Sequence, residues 1–225
     1  MNFEFNIKKM SGVSEKINNN EIRKFYFLNK DNKLRNLTNE LNGNKWYLMR
    51  LNKKKPPTLN FYKKENDFIE FRLPFFYGEK VKFWNNCLKD TESIRLMMRH
   101  YLKIWPKTKN KLVPFHGDLT FSNIIFINNN EIRIIDWENF QKKQPWGLDI
   151  CYFLISTIAL PYLSNKNNFP STSEQLIFKK LWKIFFSNFN HHYLQNPNNY
   201  LKKNRLISKN NFIFKINKKL ERKLT

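Results

Sequence analysis

The sequence predicts an α+β fold, with short strands in its first half and helices over most of its second half. Residues 22–28 read Ile-Arg-Lys-Phe-Tyr-Phe-Leu, a run rich in the β-branched and aromatic residues that favour strands. Residues 124–135 contain two Ile- and Phe-rich runs separated by asparagines, which is typical of a β-hairpin. Residues 84–105 and 175–193 repeat apolar side chains at three- and four-residue steps, the period of an amphipathic helix.

The length and composition allow a packed core. At 225 residues the chain has room for one large domain or for two small lobes that share a cleft. Hydrophobic residues make up 41% of the sequence, with 22 Phe and 6 Trp, which is ample for a core. The change of pattern along the chain predicts one unit with an abbreviated first part, residues 1–85, and a larger second part, residues 86–225.

The first part is predicted to be rich in strands. In the run Lys-Trp-Tyr-Leu-Met-Arg-Leu, strand alternation places Trp46, Leu48 and Arg50 on one face. Pro74 restricts the last strand of this part to a sheet edge, or lies at the strand's end. The predicted strands are residues 3–7, 22–28, 45–51 and 68–77, with a turn over residues 11–14.

The second part is predicted to begin with the helix over residues 84–105. Residues 148–160 predict a buried helix, with Asp149 near its positively polarised start. Ser-Thr-Ser-Glu at residues 171–174 is a capping sequence for the helix that follows. The last stretch, from Leu201, alternates basic and apolar residues. A packing helix and a peripheral contact with a membrane surface are both open interpretations, and we favour packing.

A set of polar residues between positions 116 and 136 indicates a chemistry. Asp118 is followed by an amide, Asn123, five positions later, and by a second carboxylate, Asp136, thirteen positions after that. Phosphoryl transfer from a nucleotide needs such a set, because one Asp orients the accepting hydroxyl and takes its proton while an Asn and another Asp hold magnesium.

The hairpin between these residues predicts how they meet. A two-residue type I′ turn at Asn129-Asn130 suits asparagine, which tolerates positive φ. That turn pairs Ile124 with Ile135 and sets Asn123 opposite Asp136. An amide and a carboxylate at the open end of one hairpin suit a hard cation that prefers oxygen ligands.

These residues resemble the catalytic core of the aminoglycoside phosphotransferase and choline kinase family. The family's His-x-Asp-x-x-x-x-Asn loop appears as His116, Asp118 and Asn123, and its Ile-Asp-Trp/Phe metal motif appears as residues 135–137. The resemblance covers about residues 113–158. It implies a two-lobed protein-kinase-like fold, with ATP as phosphate donor and Mg²⁺ as cofactor.

The resemblance also implies a role for each matching residue. Asp118 would be the catalytic base, and Asn123 and Asp136 would be the magnesium ligands. His116 and Asp149 would support the loop without reacting.

In the family, a loop between the first two strands covers the phosphates and a cation on the third strand contacts them. Ser11 and Gly12 lie in the one candidate loop, for which an ordinary turn is an equally good interpretation. Arg50 stands where the family places its cation, and a solvated surface residue is the alternative. Glu65 or Glu70 would pair with Arg50, and the sequence does not choose between them.

The acceptor stays open. Trp137 and Glu138 follow the metal motif, and an aromatic beside a carboxylate suits a quaternary amine, which favours an amino alcohol such as choline or ethanolamine. The same pair is also suited to packing and capping. The net charge of +23 fits a sugar, a lipid-linked sugar or an anionic acceptor better. The alternative function is a catalytically degenerate kinase-like domain that binds membrane, nucleic acid or protein.

The charge and the cysteines bear on partners and location. The basic residues are spread through the chain without a nucleic-acid-binding motif, so we expect no specific nucleic-acid partner. Joint enrichment in Lys, Asn, Ile and Phe is also what an AT-rich coding sequence produces. Cys87 and Cys151 are isolated, which fits buried thiols in a reduced compartment. With no secretory pattern in the first residues, we expect a cytoplasmic protein.

Overall fold

The computed structural model describes residues 13–16, 21–27, 33–51, 61–65, 68–80, 90–106, 112–159 and 171–186. Within these residues the protein has the mixed α and β content that the sequence predicts, with eight strands and four α-helices. The chain divides into two compact units. The first contains residues 1–77 and 135–141, and the second contains residues 78–134 and 142–225.

The first unit is built on an antiparallel sheet, and its strand order is β1-β2-β4-β3. In the central pair, Ile22 of β2 faces Leu73 of β4. Tyr26 of β2, Leu73 of β4 and Leu37 of α1 form a buried cluster. The elements of this unit are β1 (Val13–Lys16), β2 (Glu21–Phe27), α1 (Lys33–Leu51), β3 (Phe61–Glu65) and β4 (Phe68–Pro74).

The prediction of a strand over residues 45–51 is wrong, because these residues form the end of helix α1. Leu37, Glu40, Asn44 and Tyr47 are buried at three- and four-residue steps, which is the period of a helix packed along one face. Seven residues of apparent alternation were too few to distinguish the two periods. Arg50 is exposed in the last turn of α1, where a cation is favourable near the negative end of the helix dipole.

The other strand predictions for this unit are closer to the structure. Strand β2 confirms the strand predicted over residues 22–28, and β4 ends at Pro74, a position that suits proline. Val13 and Ser14 begin strand β1, although they were predicted in a turn. Ser11, Gly12 and the strand predicted over residues 3–7 lie outside the described residues.

Residues 135–141 belong to the first unit, although they are distant from its sheet in sequence. Trp137 is fully buried there, and its ring lies 5.8 Å from that of Trp46 and 5.1 Å from that of Tyr47. Gly43 of α1 makes this packing possible. A Cβ atom on Gly43 would lie 2.6 Å from Cβ of Trp137, so only glycine allows the helix so close.

In the part of the chain that the structure describes, the second unit contains two strand pairs and three α-helices. Strand β5 pairs with β8, and β6 pairs with β7. Aromatic side chains dominate the core, where Trp146 stacks on Phe185 at a ring distance of 5.6 Å and Tyr101 stacks on Trp105 at 4.4 Å. The elements are α2 (Thr91–Ile104), β5 (Leu112–Phe115), β6 (Ile124–Asn128), β7 (Glu131–Ile134), β8 (Gln141–Pro145), α3 (Leu148–Ala159) and α4 (Thr172–Phe186).

The helices of the second unit begin where local signals place them. The prediction for α3 is confirmed, and Cys151 is buried within it. Ser171 and Glu174 form the predicted capping box, since the Ser171 N–H donates to Glu174 Oε2 at 2.8 Å and the Glu174 N–H donates to Ser171 Oγ at 3.3 Å. The helix predicted over residues 84–105 appears as α2, which begins at Thr91 rather than at residue 84, because Asp90 caps it by accepting from the Ser93 N–H at 3.0 Å.

None of the helices in the described part of the chain is both long and apolar enough to cross a membrane.

Candidate active site

The hairpin of β6 and β7 has a different register from the predicted one. Ile124 faces Ile134, and Asn128 faces Glu131 across the two-residue turn. The register shifts between Phe126 and Asn128, so Ile127 is the extra residue of a β-bulge. The predicted pairing of Ile124 with Ile135 is therefore wrong by one residue.

The turn at Asn129 and Asn130 is confirmed in position but not in type. A type I′ turn requires positive φ at both central residues. Among the described residues, Asp136 is the one non-glycine residue with positive φ, so the turn is not type I′. The Asn130 N–H instead donates to the Asn128 side-chain oxygen at 2.9 Å. This hydrogen bond defines an Asx turn, which replaces the predicted type I′ turn.

The loop that carries Asp118 is fixed to helix α3 through its backbone. Asp149 is fully buried, and its carboxylate accepts the His116 N–H at 2.9 Å and the Gly117 N–H at 3.2 Å. Gly117 has φ of 89°, a conformation that glycine adopts without strain. Burial raises the pKa of Asp149 to about 7, against the effect of these two hydrogen bonds. Asp149 therefore holds the backbone of the loop at His116 and Gly117.

His116 also acts within the loop. Its side chain is fully buried, and its Nδ1 accepts the Asp118 N–H at 3.2 Å. A neutral imidazole in this tautomer can therefore order the backbone that presents Asp118. His116 has the structural environment that a supporting residue requires.

The side chains of Tyr152 and Asn123 both donate hydrogen bonds to the Asp118 carboxylate. Tyr152 donates its hydroxyl to Asp118 Oδ1 at 3.0 Å, and Asn123 donates Nδ2 to Asp118 Oδ2 at 3.2 Å. Asn123 Nδ2 also donates to the Asp118 backbone carbonyl at 2.8 Å. The carboxylate and the backbone carbonyl of Asp118 can both only accept hydrogen bonds. The Asn123 amide must therefore point its nitrogen toward Asp118. Its amide oxygen then points away, and an oxygen of this type is a magnesium ligand in proteins.

A second polar cluster lies within the first unit and contains Asp136. Lys24 of β2 places Nζ 2.9 Å from Glu40 Oε1 and 2.9 Å from Asp136 Oδ1. Asp136 has φ of 66°, a left-handed conformation that costs a non-glycine residue on the order of 1 kcal/mol. Asn44 donates to Glu40 Oε1 at 3.0 Å, so the amide and the ammonium share one carboxylate oxygen.

The charges in this cluster are coupled. Burial lowers the pKa of Lys24, but the carboxylates of Glu40 and Asp136 outweigh that effect and raise its pKa above the ordinary value. Lys24 is therefore cationic near neutral pH. Burial raises the pKa of Glu40, and the attraction of Lys24 opposes the rise. Glu40 Oε2 is buried and has no hydrogen-bond partner among the described residues.

Glu138 is engaged by protein groups of the same unit. Tyr26 donates its hydroxyl to Glu138 Oε1 at 2.7 Å, and Asn39 of α1 donates to the Glu138 backbone carbonyl at 3.0 Å. With Trp137 buried against α1, the pair matches the packing and capping interpretation. Trp137 exposes no surface on which a quaternary amine could rest.

The structure changes which cation is the candidate for contacting a nucleotide. Arg50 lies on a helix and is exposed, so the prediction that placed it on the third strand is wrong. The cation of the polar cluster is Lys24, and its carboxylate partner is Glu40 rather than Glu65 or Glu70.

Sequence reasoning missed Lys24, Glu40 and Tyr152. One signal for Lys24 was available, because the alternation of β2 places it on the same face as Ile22 and Tyr26, and a lysine on an apolar strand face needs a buried partner. Glu40 and Tyr152 carry no comparable local signal.

The two residues that the resemblance assigned to magnesium each carry oxygen atoms of the kind that this ion binds. No group of three or more His, Cys, Asp or Glu side chains in the described part of the chain could hold a metal ion. Magnesium does not need such a group, because it is commonly bound by one or two protein oxygens together with phosphates and waters. The Asp136 side chain is 44% exposed, and Lys24 contacts its Oδ1. The Asn123 amide oxygen has the required chemistry.

Comparisons with known proteins found similarity in structure rather than in sequence family. No protein-family model matches the chain, and no curated protein matches it. The chain is similar to a solved co-crystal structure of WbdD and the kinase inhibitor LY294002, with a TM-score of 0.43 and 13% sequence identity. The similarity covers 83% of this chain and 41% of the WbdD chain, so the protein spans less than half the length of that neighbour. At this level the similarity supports no assignment of function, which depends on the contacts described above.

Proposed function

We propose that the protein is an ATP-dependent phosphotransferase that moves the γ-phosphate to a hydroxyl group of a small molecule. The observation that carries the proposal is the buried ion pair of Lys24 and Glu40, with Asp136 on the same ammonium. Kinase-type phosphoryl transfer uses a strand lysine held by a helix glutamate, together with an aspartate that binds magnesium. Here a strand lysine, a helix glutamate and the aspartate of the predicted metal motif are in direct contact.

In this proposal Lys24 contacts the phosphates of the nucleotide, and Glu40 holds its ammonium in place. A fully buried carboxylate such as that of Glu40 lowers the stability of the fold unless a cation pairs with it. A lysine on the surface needs no such partner. Asp136 and Asn123 are the proposed magnesium ligands. Bound magnesium would neutralise charge on the phosphates.

Asp118 is the proposed base that orients the accepting hydroxyl and takes its proton. Its carboxylate receives hydrogen bonds from Asn123 and Tyr152, so its orientation is set before a substrate binds. Preorganisation of this kind supports catalysis because the reacting group needs little rearrangement.

A sugar or lipid-linked sugar is the favoured acceptor class. The net charge of +23 attracts anionic molecules and repels cationic ones. Burial of Trp137 also removes the aromatic surface that favoured choline or ethanolamine. The proposed setting is cytoplasmic, where ATP and magnesium are available.

Thermal stabilisation by nucleotide tests the proposal. Wild-type protein should gain about 5 to 10 °C in melting temperature when Mg-ATP is about a hundredfold above its Kd. Lys24→Met and Asp136→Ala should each abolish most of this gain. Lys45→Met is the matched control, because Lys45 is exposed on the same helix that carries Glu40. It should keep the full gain.

A phosphate-transfer screen over sugars, sugar-lipids, choline and ethanolamine then identifies the acceptor. Asp118→Asn should remove turnover while leaving nucleotide binding nearly intact. If neither ATP nor GTP with magnesium changes the melting temperature of the wild type, the enzyme proposal fails. The degenerate kinase-like binding protein would then be the better description.

A further inference from the structure

Helix α3 contacts the Asp118 loop at two points. Asp149 in its first turn accepts the backbone N–H groups of His116 and Gly117. Tyr152 donates its hydroxyl to the side chain of Asp118 at 3.0 Å. Asp149 and Tyr152 are three positions apart, a spacing that places them on one face of a helix. One helix face therefore fixes both the backbone and the carboxylate of the proposed base.

The helix is a rigid support for such contacts. Ile150, Cys151, Phe153 and Leu154 are all buried, and Ile150, Phe153 and Leu154 expose 0% of their surface. Side chains on a packed helix are held more closely than side chains on a loop. Tyr152 itself is partly buried, so its ring is supported by the helix while its hydroxyl reaches Asp118.

We propose that Tyr152 is a positioning residue for the acceptor-activating carboxylate of Asp118. The inference rests on the proposed function. Rotation of an Asp carboxylate about its last torsion is broad, so its direction must be set by hydrogen bonds. Asn123 also donates to this carboxylate, but Asn123 is the proposed metal ligand, so its side chain has a second task.

The direction of the hydrogen bond supports this role. Burial raises the pKa of Tyr152, and the charge of Asp118 raises it further. The phenol therefore stays protonated and donates near neutral pH. A phenol that donates to a carboxylate oxygen restrains its orientation and leaves the carboxylate ionised, the form that accepts the proton of a substrate hydroxyl.

Tyr152→Phe removes this donor and keeps the ring. We expect kcat for phosphate transfer to fall about tenfold to a hundredfold, because misplacement of a reacting group by a fraction of an ångström has effects of this size. The KM for ATP and the melting-temperature gain with Mg-ATP should stay close to the wild-type values. A general structural defect would change the KM for ATP and the melting-temperature gain as well as kcat.

Ser156→Ala is the matched control. Ser156 lies one turn further along α3, is buried, and donates its hydroxyl within the helix, to the Phe153 carbonyl at 2.7 Å. Its variant should keep wild-type kcat. Replacing Tyr152 by 4-aminophenylalanine, which retains an N–H donor on the ring, should restore much of the activity that Tyr152→Phe loses.

Tyr152→Leu provides a second variant without the hydroxyl if Tyr152→Phe does not fold. An unchanged kcat in either folded variant would overturn the positioning role while leaving the proposed function intact. Absence of both nucleotide binding and transfer in the wild type would instead overturn the proposed function, and the role of Tyr152 with it.

Discussion

Lys24 and Glu40 form a buried ion pair in which the ammonium lies 2.9 Å from Glu40 Oε1. The Glu40 side chain is completely inaccessible, and the Lys24 side chain is 9% exposed. Taking two charges out of water is costly, and the pair is compensated by the contacts of Lys24 with Asp136 and of Glu40 with Asn44. The loss of one partner leaves the other charge buried and unpaired.

Glu40→Gln should therefore lower the free energy of unfolding by about 3 kcal/mol, the usual effect of removing one member of a buried pair. Urea denaturation of the purified protein measures this change. Glu92→Gln is the control, because Glu92 forms an exposed pair with Arg95 at 2.9 Å and should cost less than about 1 kcal/mol. Equal costs for the two variants would contradict the assignment of Glu40 as a structural anchor for Lys24.

Gly43→Ala should destabilise the protein although alanine normally favours a helix over glycine by about 1 kcal/mol. The new methyl group would lie 2.6 Å from Trp137 Cβ, so α1 and the segment that carries Asp136 would have to separate. We expect a net loss of about 1 to 3 kcal/mol, measured by thermal unfolding. Lys45→Ala raises helix propensity on the exposed face of α1 and should be neutral. A stabilised Gly43→Ala protein would be inconsistent with this close packing.

Asp149→Asn should destabilise the loop of Asp118 by about 1 to 3 kcal/mol near pH 4, because the two oxygens of Asp149 accept the His116 and Gly117 N–H groups and an amide has one oxygen. The pH dependence has a defined sign. The folded-state pKa of Asp149 is raised to about 7, so its contribution to stability is present below its unfolded pKa and is lost as the pH rises through 7. The stability difference between wild type and Asp149→Asn should therefore shrink between about pH 4 and pH 7. A constant difference across that range would show that Asp149 does not titrate there.

His100 of α2 should make the protein sensitive to acid. Burial, together with the positive charges of Arg133 and Lys103, lowers the pKa of His100 to about 4. The unfolded chain then binds a proton that the folded protein does not, so stability is present above pH 6.5 and is lost as the pH falls toward 4. The loss should approach about 3 kcal/mol. His100→Gln does not titrate, and its stability profile, measured by urea denaturation, should be flatter over this range. Parallel profiles for the two proteins would refute the prediction.

Local patterns were sufficient for the elements whose signals are short in sequence. The capping box of Ser171 and Glu174 and the buried helix α3 follow from residues within a few positions of one another. The turn at Asn129 and Asn130 was also found in place. Its type was not, because the Asx turn of Asn128 and the bulge at Ile127 depend on how the two strands pair. Alternation over seven residues suggested a strand around Arg50, and the helical period appears only over the 19 residues of α1.

The sequence by itself determined the spacing of Asp118, Asn123 and Asp136, and with it the class of chemistry that the protein is proposed to perform. The tertiary structure decided which cation lies beside Asp136 and which carboxylate pairs with that cation. Lys24 contacts Asp136 across 112 residues of sequence, and Tyr152 reaches Asp118 across 34. Burial also decided that Trp137 is part of the core. These contacts depend on which side chains the fold buries together. A charged side chain needs a specific partner only where the surrounding packing excludes water.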